Sequence, residues 1–568
     1  MSGLLKPLYG TPEFKEIEKN LRQNMKRQMI FGVTSSYRDY IMAGLSHVSD
    51  GMVLIVTPGE KEAVEITGNL GTFLDVPVHH FPSLELMPFQ ILAQDRKILA
   101  RRLEVLEALC NSQEKKIVVA SVEAVMRRLC PCDVFSRSRV RLTVGERQEP
   151  GVLLKTLVKL GYERVDLVES TGQVSLRGGI LDIYPTSFHR PVRLEFFDDE
   201  VDSIRLFDVL TQRSYEKLKE ITIGPALELV VHEEAWERAR ETVLNQYQLQ
   251  YRKLSRHGSP EAIREFEDNL QDVLEYLNNN VFFPGIEQFL PYFYAREVNL
   301  IDYLPASSLI LMDEPQRCKD ITESIQKERL ETYSQLMAKG KALPAQYEGY
   351  VDWRYIAISL EKHNTAYFCF LPRQPKFIQP QAVVNFTAKA MHNFLGKTTM
   401  LAEEILHWRR TGYAVVLTVS NEERGRLFLS ELRENKIDAF YTAYPGEQVK
   451  PGNVIITHGH LSGGFDLVNA RLVVIAEKDI YGRQKKPRKR SKSQDNQEAT
   501  QRLEPFVDLK VGDYIVHANH GIGKYMGIVP LDIAGIRKEY LSIKYSGEDK
   551  LYVPNDQVGL LQKYLGAE

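Results

Sequence analysis

"IFGVTSSYRDYIMAGL", residues 30–45, opens with the frame of a nucleotide phosphate loop. Such a loop reads G-x-x-x-x-G-K-[ST] between a strand and a helix. Its backbone N–H groups wrap the phosphates, so side chains must stay off the concave side. Gly32 stands at the first glycine, and an apolar, helix-like run follows. Tyr37 then replaces the second glycine, Arg38 the lysine and Asp39 the magnesium-binding hydroxyl. A ring sits where only hydrogen fits, and a carboxylate where a neutral hydroxyl should hold the metal. Read alone, the stretch is a chance glycine before a helix or a phosphate loop that has lost its chemistry. The surrounding chain favours the second.

Around it, short apolar runs alternate with helical ones. "MVLIVTP" (52–58) precedes "GEKEAVEITGNLGTFL", and "KIVVAS" (116–121) precedes "VEAVMRRL". That alternation predicts a parallel α/β sheet with the Gly32 loop at its front. From about residue 139 the pattern turns β-rich ("VRLTV", "VSLRGGILDIYP", "RPVRLEFFDDEVDSIRLFD"), and residues 232–280 read as charged helix. "SSLILMDEP" (307–315) imitates the acidic strand end of an ATPase, but Pro315 ends it, so Asp313 and Glu314 are read as structural. A further α/β unit follows, with "YAVVLTVS", "NVIITHG" and "RLVVIAEKD" as buried strands. "NFLGKTTM" (393–400) contains G-K-T, but Met391 occupies the place of the first glycine and no apolar strand leads in, so it is no phosphate loop. The basic, polar stretch 482–501 cannot bury a core and is read as a tether, with phosphate contact as the weaker alternative.

Composition narrows the class. The 568 residues predict several domains, and a net charge of −2 confines any nucleic-acid contact to local patches. Neither a signal peptide nor a membrane-spanning apolar run is visible. Five scattered cysteines (Cys110, Cys130, Cys132, Cys318, Cys369) predict a reducing compartment, hence a cytoplasmic protein. "CPC" at 130–132 is too tight for a C-x-x-C site and is read as structural; no metal site is expected.

Two stretches carry candidate binding chemistry. In "PVRLEFFDD" side chains alternate faces, so Val192, Leu194 and Phe196 point one way and Arg193, Glu195 and Phe197 the other. An aromatic beside an arginine on a polar face has the composition of an interface hot spot; cover by a neighbouring loop is the alternative for Phe197. The terminal residues 505–568 read as a β-rich module. There "HGIGKYMG" reads as a tight turn, and His517 and His520 lack further metal ligands. In "EYLSIKY", Leu541, Ile543 and Tyr545 are expected inward, with Tyr540, Ser542 and Lys544 outward. Pro530 in "IVPLDIAGI" suits an edge strand, which could accept a partner's strand.

These features together resemble the bacterial transcription-repair coupling factors (the Mfd family). The degenerate "GVTSSYRD", the "LRGGILDIYP…PVRLEFFDDEVDSIRLFD" stretch, the "FPSLELMPF" phrase and "HGIGKYMG…EYLSIKY…DKLYVP" carry the resemblance, which runs over essentially the whole chain. UvrB, a related repair protein, keeps the intact loop and a DNA-clamping hairpin absent here. The resemblance implies a multidomain α/β fold: a degenerate RecA/helicase-like UvrB-homology module with an inserted β-rich domain, a further α/β domain and a small CarD/Tudor-like β-barrel. The expected domains are 1–138 and 231–345 (UvrB-like), 139–230 (UvrA-interacting), 346–481 (third α/β), 482–503 (basic linker) and 504–568 (RNA-polymerase-interacting). It implies Arg177, Arg193 and Phe197 as UvrA contacts, and Leu531, flanked by Ile528, Ile533 and Ile536, as the contact to the RNA polymerase β subunit, with burial of Leu531 in the module's own core as the alternative. Ser175 departs from UvrB, which has a second arginine there. The chain is expected to stop before the family's ATP- and Mg-dependent DNA translocase. It would then be a non-enzymatic adaptor without cofactor or membrane contact, DNA being met mainly through that absent motor; the alternatives are a UvrB-like ATP-dependent damage-recognition protein and a CarD-like transcription regulator.

Overall fold

The computed structural model describes residues 2–33, 35–84, 96–111, 114–188, 190–387, 389–443, 445, 449–481, 511–517, 521–533, 536–544, 550–554 and 561–563. The basic linker, His520, Tyr545 and most of "LELMPFQ" therefore lie outside the described residues, as do the side chains of Leu531, Ile533 and Ile536.

Seven parallel strands form the first sheet, in the order Ala382–Asn385, Arg27–Phe31, Asn364–Cys369, Leu309–Asp313, Val53–Thr57, Ile117–Ser121, Val78–Phe81. Every residue of Val53–Thr57, Ile117–Ser121 and Leu309–Asp313 is buried, as expected where both faces of a parallel sheet are covered. The expected boundary at residue 346 does not fit this sheet. Strands Asn364–Cys369 and Ala382–Asn385 flank Arg27–Phe31 directly and so belong to the first sheet. Sheet membership is decided by pairing across hundreds of residues, and no local pattern encodes it. The further α/β unit begins with Lys389–Ala390, and its six-stranded sheet centres on Leu472–Ala476, Ala414–Val419 and Val454–His458.

Between these lies the β-rich region. Val140–Thr143 pairs with Glu220–Ile223, and six further strands run in the order Ser214–Leu218, Glu200–Phe207, Val192–Phe197, Ile180–Ile183, Gln173–Arg177, Glu163–Arg164. Its inner face carries Val192, Leu194, Ile204 and Leu181 into the same apolar core as the first sheet. The Arg96–Asn111 helix is the seat of this region. Its Arg102 is fully buried, forms an ion pair with Glu228 and lies 4.0 Å from the Phe81 ring centroid. Arg96 donates to Ser170 and to the Thr171 carbonyl. A helical hairpin, Glu233–His257 and Pro260–Asn278, builds a separate core around Trp236, Phe266 and Phe293. Ser259 caps its second helix by accepting the Ala262 N–H, and Pro260 occupies the first turn, where a missing N–H costs nothing.

The terminal module has five antiparallel strands, ordered Lys550–Pro554, Ile536–Lys544, Gly521–Ile533, Tyr514–His517, Leu561–Lys563. Among the described residues its two end strands are not paired with each other, so those pairings do not close a barrel. Two expectations fail here. Gly521–Gly527 lies within a strand instead of a turn, and Gly527 (φ +109°) sits at a register shift that bends it. Tyr540 and Ser542 are buried together with Leu541 and Ile543, so alternation does not separate inside from outside. Among the described residues no helix is long and apolar enough to cross a membrane, and no cluster of metal-ligating side chains occurs.

Candidate functional site

The Gly32 loop follows the Arg27–Phe31 strand and enters the Ser35–Val48 helix, as a phosphate loop would. Side chains fill the space beside it. Gly32 has φ +75°, and a Cβ there would run into the Phe386 carbonyl oxygen, so a chain crossing demands this glycine. The Tyr37 ring is buried, 6.0 Å from Phe386 and 5.5 Å from Phe465 between centroids. Arg38 Nη1 donates to Asp313 Oδ2 at 2.7 Å and Nε to Asp39 Oδ1 at 2.8 Å. Asn69 Nδ2 donates to Asp39 Oδ2 at 2.5 Å and to Ser462 Oγ at 2.9 Å, and Asn69 Oδ1 accepts the Ser462 N–H.

The third α/β unit thus supplies part of the filling, through Ser462 and the buried Leu461 and Phe465. Burial pushes Asp313 up to about 6 and also raises Asp39, against the opposing pull of Arg38. Burial works against charge on Arg38, but its two carboxylates outweigh it and the guanidinium stays protonated. Glu314, in the left-handed region at φ +45°, accepts the Phe370 N–H and starts the Pro315–Ala338 helix. These donors and acceptors are spent on one another, and the concave side a nucleotide needs is occupied. The residues present do not fit a bound nucleotide.

The second candidate is the outward face of the six-stranded sheet. Asp182 lies opposite Arg193 in the register, and Arg177 is its diagonal neighbour. Arg193 grips Asp182 through Nε–Oδ1 at 2.7 Å and Nη2–Oδ2 at 2.9 Å, while Arg177 Nη2 reaches the same Oδ2 at 2.9 Å. Arg193 Nη1 also donates to the Gln212 carbonyl at 3.0 Å, and its guanidinium lies 4.7 Å from the Phe207 ring centroid. The Asp182 hydrogen bonds raise the Arg193 pKa, so this guanidinium stays charged. The Arg193 side chain is 14% exposed and that of Arg177 50%.

Phe197 is 80% exposed, four residues along the same face. It ends a strand that turns through Asp198 (φ +57°) into Glu200–Phe207. The turn is braced where Gln148 N–H meets the Asp199 carbonyl and where Glu146 pairs with Val201. Beside it the Arg177-Gly178-Gly179-Ile180 turn approaches closely, Gly179 accepting the Phe196 N–H, and Ile180 is exposed. The structure therefore brings Arg177, Arg193 and Phe197 onto one face. Asp182, which organises both arginines, was not singled out in the sequence, although its signal was the aspartate closing R-G-x-x-x-D. Asn69 and Ser462 gave no signal at all.

In the terminal module Ile528 is exposed on the Gly521–Ile533 strand. Leu531 and Ile533 lie further along it, where Leu531 pairs with Lys538 and Ile533 with Ile536 of the next strand. Past Tyr525 this strand's described pairings are to Ile536–Lys544 alone, consistent with Pro530 at an edge. Tyr514 and Met526 add exposed apolar surface that sequence reasoning missed.

Two segments match known domain families: residues 140–229 the UvrB interaction domain, and residues 509–565 the CarD-like/TRCF RID domain. Over 98% of its length the chain is 36% identical to a transcription-repair-coupling factor of Bacillus subtilis, covering 46% of that protein. The corresponding factor of Staphylococcus epidermidis is 30% identical over 98% of this chain and 46% of its own length. That of Staphylococcus haemolyticus is 28% identical over 95% and 45%. The chain spans about half the length of the curated relatives it matches.

Proposed function

The chain is homologous along nearly all its length to the transcription-repair-coupling factors, carrying a UvrB interaction domain and a CarD-like/TRCF RID domain, and from that premise we propose that it is an adaptor in transcription-coupled repair. In this reading the outward sheet face recruits UvrA through Phe197, Arg193 and Arg177. The terminal module holds RNA polymerase, by its β subunit, through Leu531 with Ile528, Ile533 and Ile536. The filled Gly32 loop then serves as packing and takes no ATP.

One observation carries the reading: Phe197 stands free at a braced hairpin tip, beside two arginines that share one carboxylate. Burying an aromatic of this size yields about 1.5–3 kcal/mol, most of which the free chain leaves unrealised. A braced tip also loses little entropy on binding. Arg177 is half exposed and shares Asp182 with Arg193, so it can still donate to an acidic group on a partner. Pull-down of purified UvrA and RNA polymerase tests the proposal. Phe197→Ala with Arg177→Ala should lose UvrA alone, and Leu531→Arg should lose polymerase alone. Capture of neither partner by the folded wild type would reduce the resemblance to shared architecture. Measurable ATP binding would return the Gly32 loop to an active role.

A further inference from the structure

Two of the five thiols stand apart from the rest. Cys110 is the penultimate residue of the Arg96–Asn111 helix, and Cys132 is the first of the Cys132–Arg137 helix. Their Sγ atoms lie 3.1 Å apart, and both residues are partly exposed, whereas Cys130, Cys318 and Cys369 are buried. Cys110 also lines an open cleft of about 1110 Å³ together with Met52, Leu109, Pro305 and Ser307, which gives small solutes a route to that residue. Two of the buried thiols are engaged elsewhere: Cys130 donates to the Val230 carbonyl and Cys318 to that of Asp313.

We propose that Cys110 and Cys132 are a modification site, a dithiol that a hydroperoxide converts reversibly to a disulfide. A hydrogen bond from the Cys110 S–H lowers the Cys132 pKa, and Arg296 acts in the same direction, so Cys132 is the attacking thiolate. Its sulfur attacks one peroxide oxygen and the O–O bond breaks. Cys132 is left as a sulfenic acid, and the departing hydroxide takes up a proton as water. Cys110 then attacks the Cys132 sulfur, its S–H proton passing to the departing hydroxide; the S–O bond breaks and a second water leaves. The two sulfurs have lost two electrons to the peroxide, and two thiols plus one hydroperoxide have given a disulfide, water and the corresponding alcohol or second water. The sulfurs need to close by about 1 Å to reach bonding distance. The bond would tie the helix that seats the β-rich region to the segment leading into its first strand, Val140–Thr143.

Peptide mapping of the full, pre-reduced chain after hydrogen peroxide treatment and alkylation tests this. The expected product is one linked pair of peptides carrying Cys110 and Cys132, two hydrogens lighter than the thiols and restored by dithiothreitol. Cys110→Ser should accumulate a dimedone-trappable sulfenic acid at Cys132, and Cys132→Ser should give no linked pair and less sulfenic acid at Cys110 than Cys110→Ser gives at Cys132. Full alkylation of both thiols after peroxide would overturn the proposal, as would a Cys130–Cys132 link in their place. The wild-type map requires no variant to fold.

Discussion

Two arginine–aspartate pairs in this molecule are matched in burial and opposite in use. Arg38 with Asp313 and Arg193 with Asp182 each pair a guanidinium that is 14% exposed with a nearly buried carboxylate. Around the first, a second carboxylate, Asp39, and an aromatic cover of Tyr37, Phe386 and Phe465 seal the group inside. Around the second, a second arginine, half-exposed Arg177, and uncovered Phe197 leave the group facing water. One arginine serves two acids in the first cluster, and one acid serves two arginines in the second. The sealed surplus of negative charge is relieved by Asp313, whose pKa rises toward neutrality. In the second cluster half-exposed Arg177 keeps donors facing water. The neighbours, more than the pair, decide which is packing and which is surface.

The comparison can be broken at its sealed end first. Arg38→Ala strands two buried carboxylates and should cost about 3–5 kcal/mol in urea unfolding. A loss below about 1 kcal/mol would mean that water reaches the cluster and the cleft is not sealed.

A buried acid at the seat of the β-rich region sharpens it next. Burial pushes Glu107 up to about 7 from 4.5, with its Oε1 lacking a partner. A folded-state pKa above the unfolded value means that stability is complete below pH 4.5 and falls as pH rises to about 7. Glu107→Gln should therefore be more stable than wild type at pH 8, by on the order of 3 kcal/mol, and the gap should close by pH 4. An unchanged gap across that range would show that the Glu107 carboxyl does not titrate there.

Asp182→Asn comes third. Arg177 can turn into water and Arg193 keeps the Gln212 carbonyl, so about 1–3 kcal/mol is expected, less than at the sealed cluster. Equal losses at Arg38 and Asp182 would erase the distinction between the clusters.

Phe197→Ala is the smallest in stability, within about 0.5 kcal/mol. Under the proposed function it weakens UvrA capture by about 2 kcal/mol, roughly thirtyfold. A large stability loss at Phe197 would mark it as core.

Much of this was legible in the chain. Alternation in "PVRLEFF" separated Val192 and Leu194 from Arg193 and Phe197 because a strand's side chains alternate by covalent geometry. The substitutions at Tyr37, Arg38 and Asp39 each break a local steric or charge rule of a phosphate loop, and only the strand–helix alternation around them separated a lost loop from a chance glycine. The same alternation failed at Tyr540 and Ser542, which are buried beside Leu541 and Ile543. Period two marks opposite faces, but what covers each face comes from elsewhere in the chain.

By itself, then, the sequence determined the local elements, the departure from the phosphate-loop pattern at Gly32 and the outward direction of Phe197. Backbone geometry and side-chain size act within a few residues. Only the tertiary structure decided that strands Asn364–Cys369 and Ala382–Asn385 complete the first sheet, that Ser462 and Asn69 close the Gly32 cleft, and that Asp182 gathers Arg177 and Arg193. The strand pairings and the Asn69–Ser462 contact join residues hundreds of positions apart. Asp182 is closer in sequence, but its role follows from cross-strand register. Burial and hydrogen-bond satisfaction select such contacts across the whole fold, and no local pattern records them.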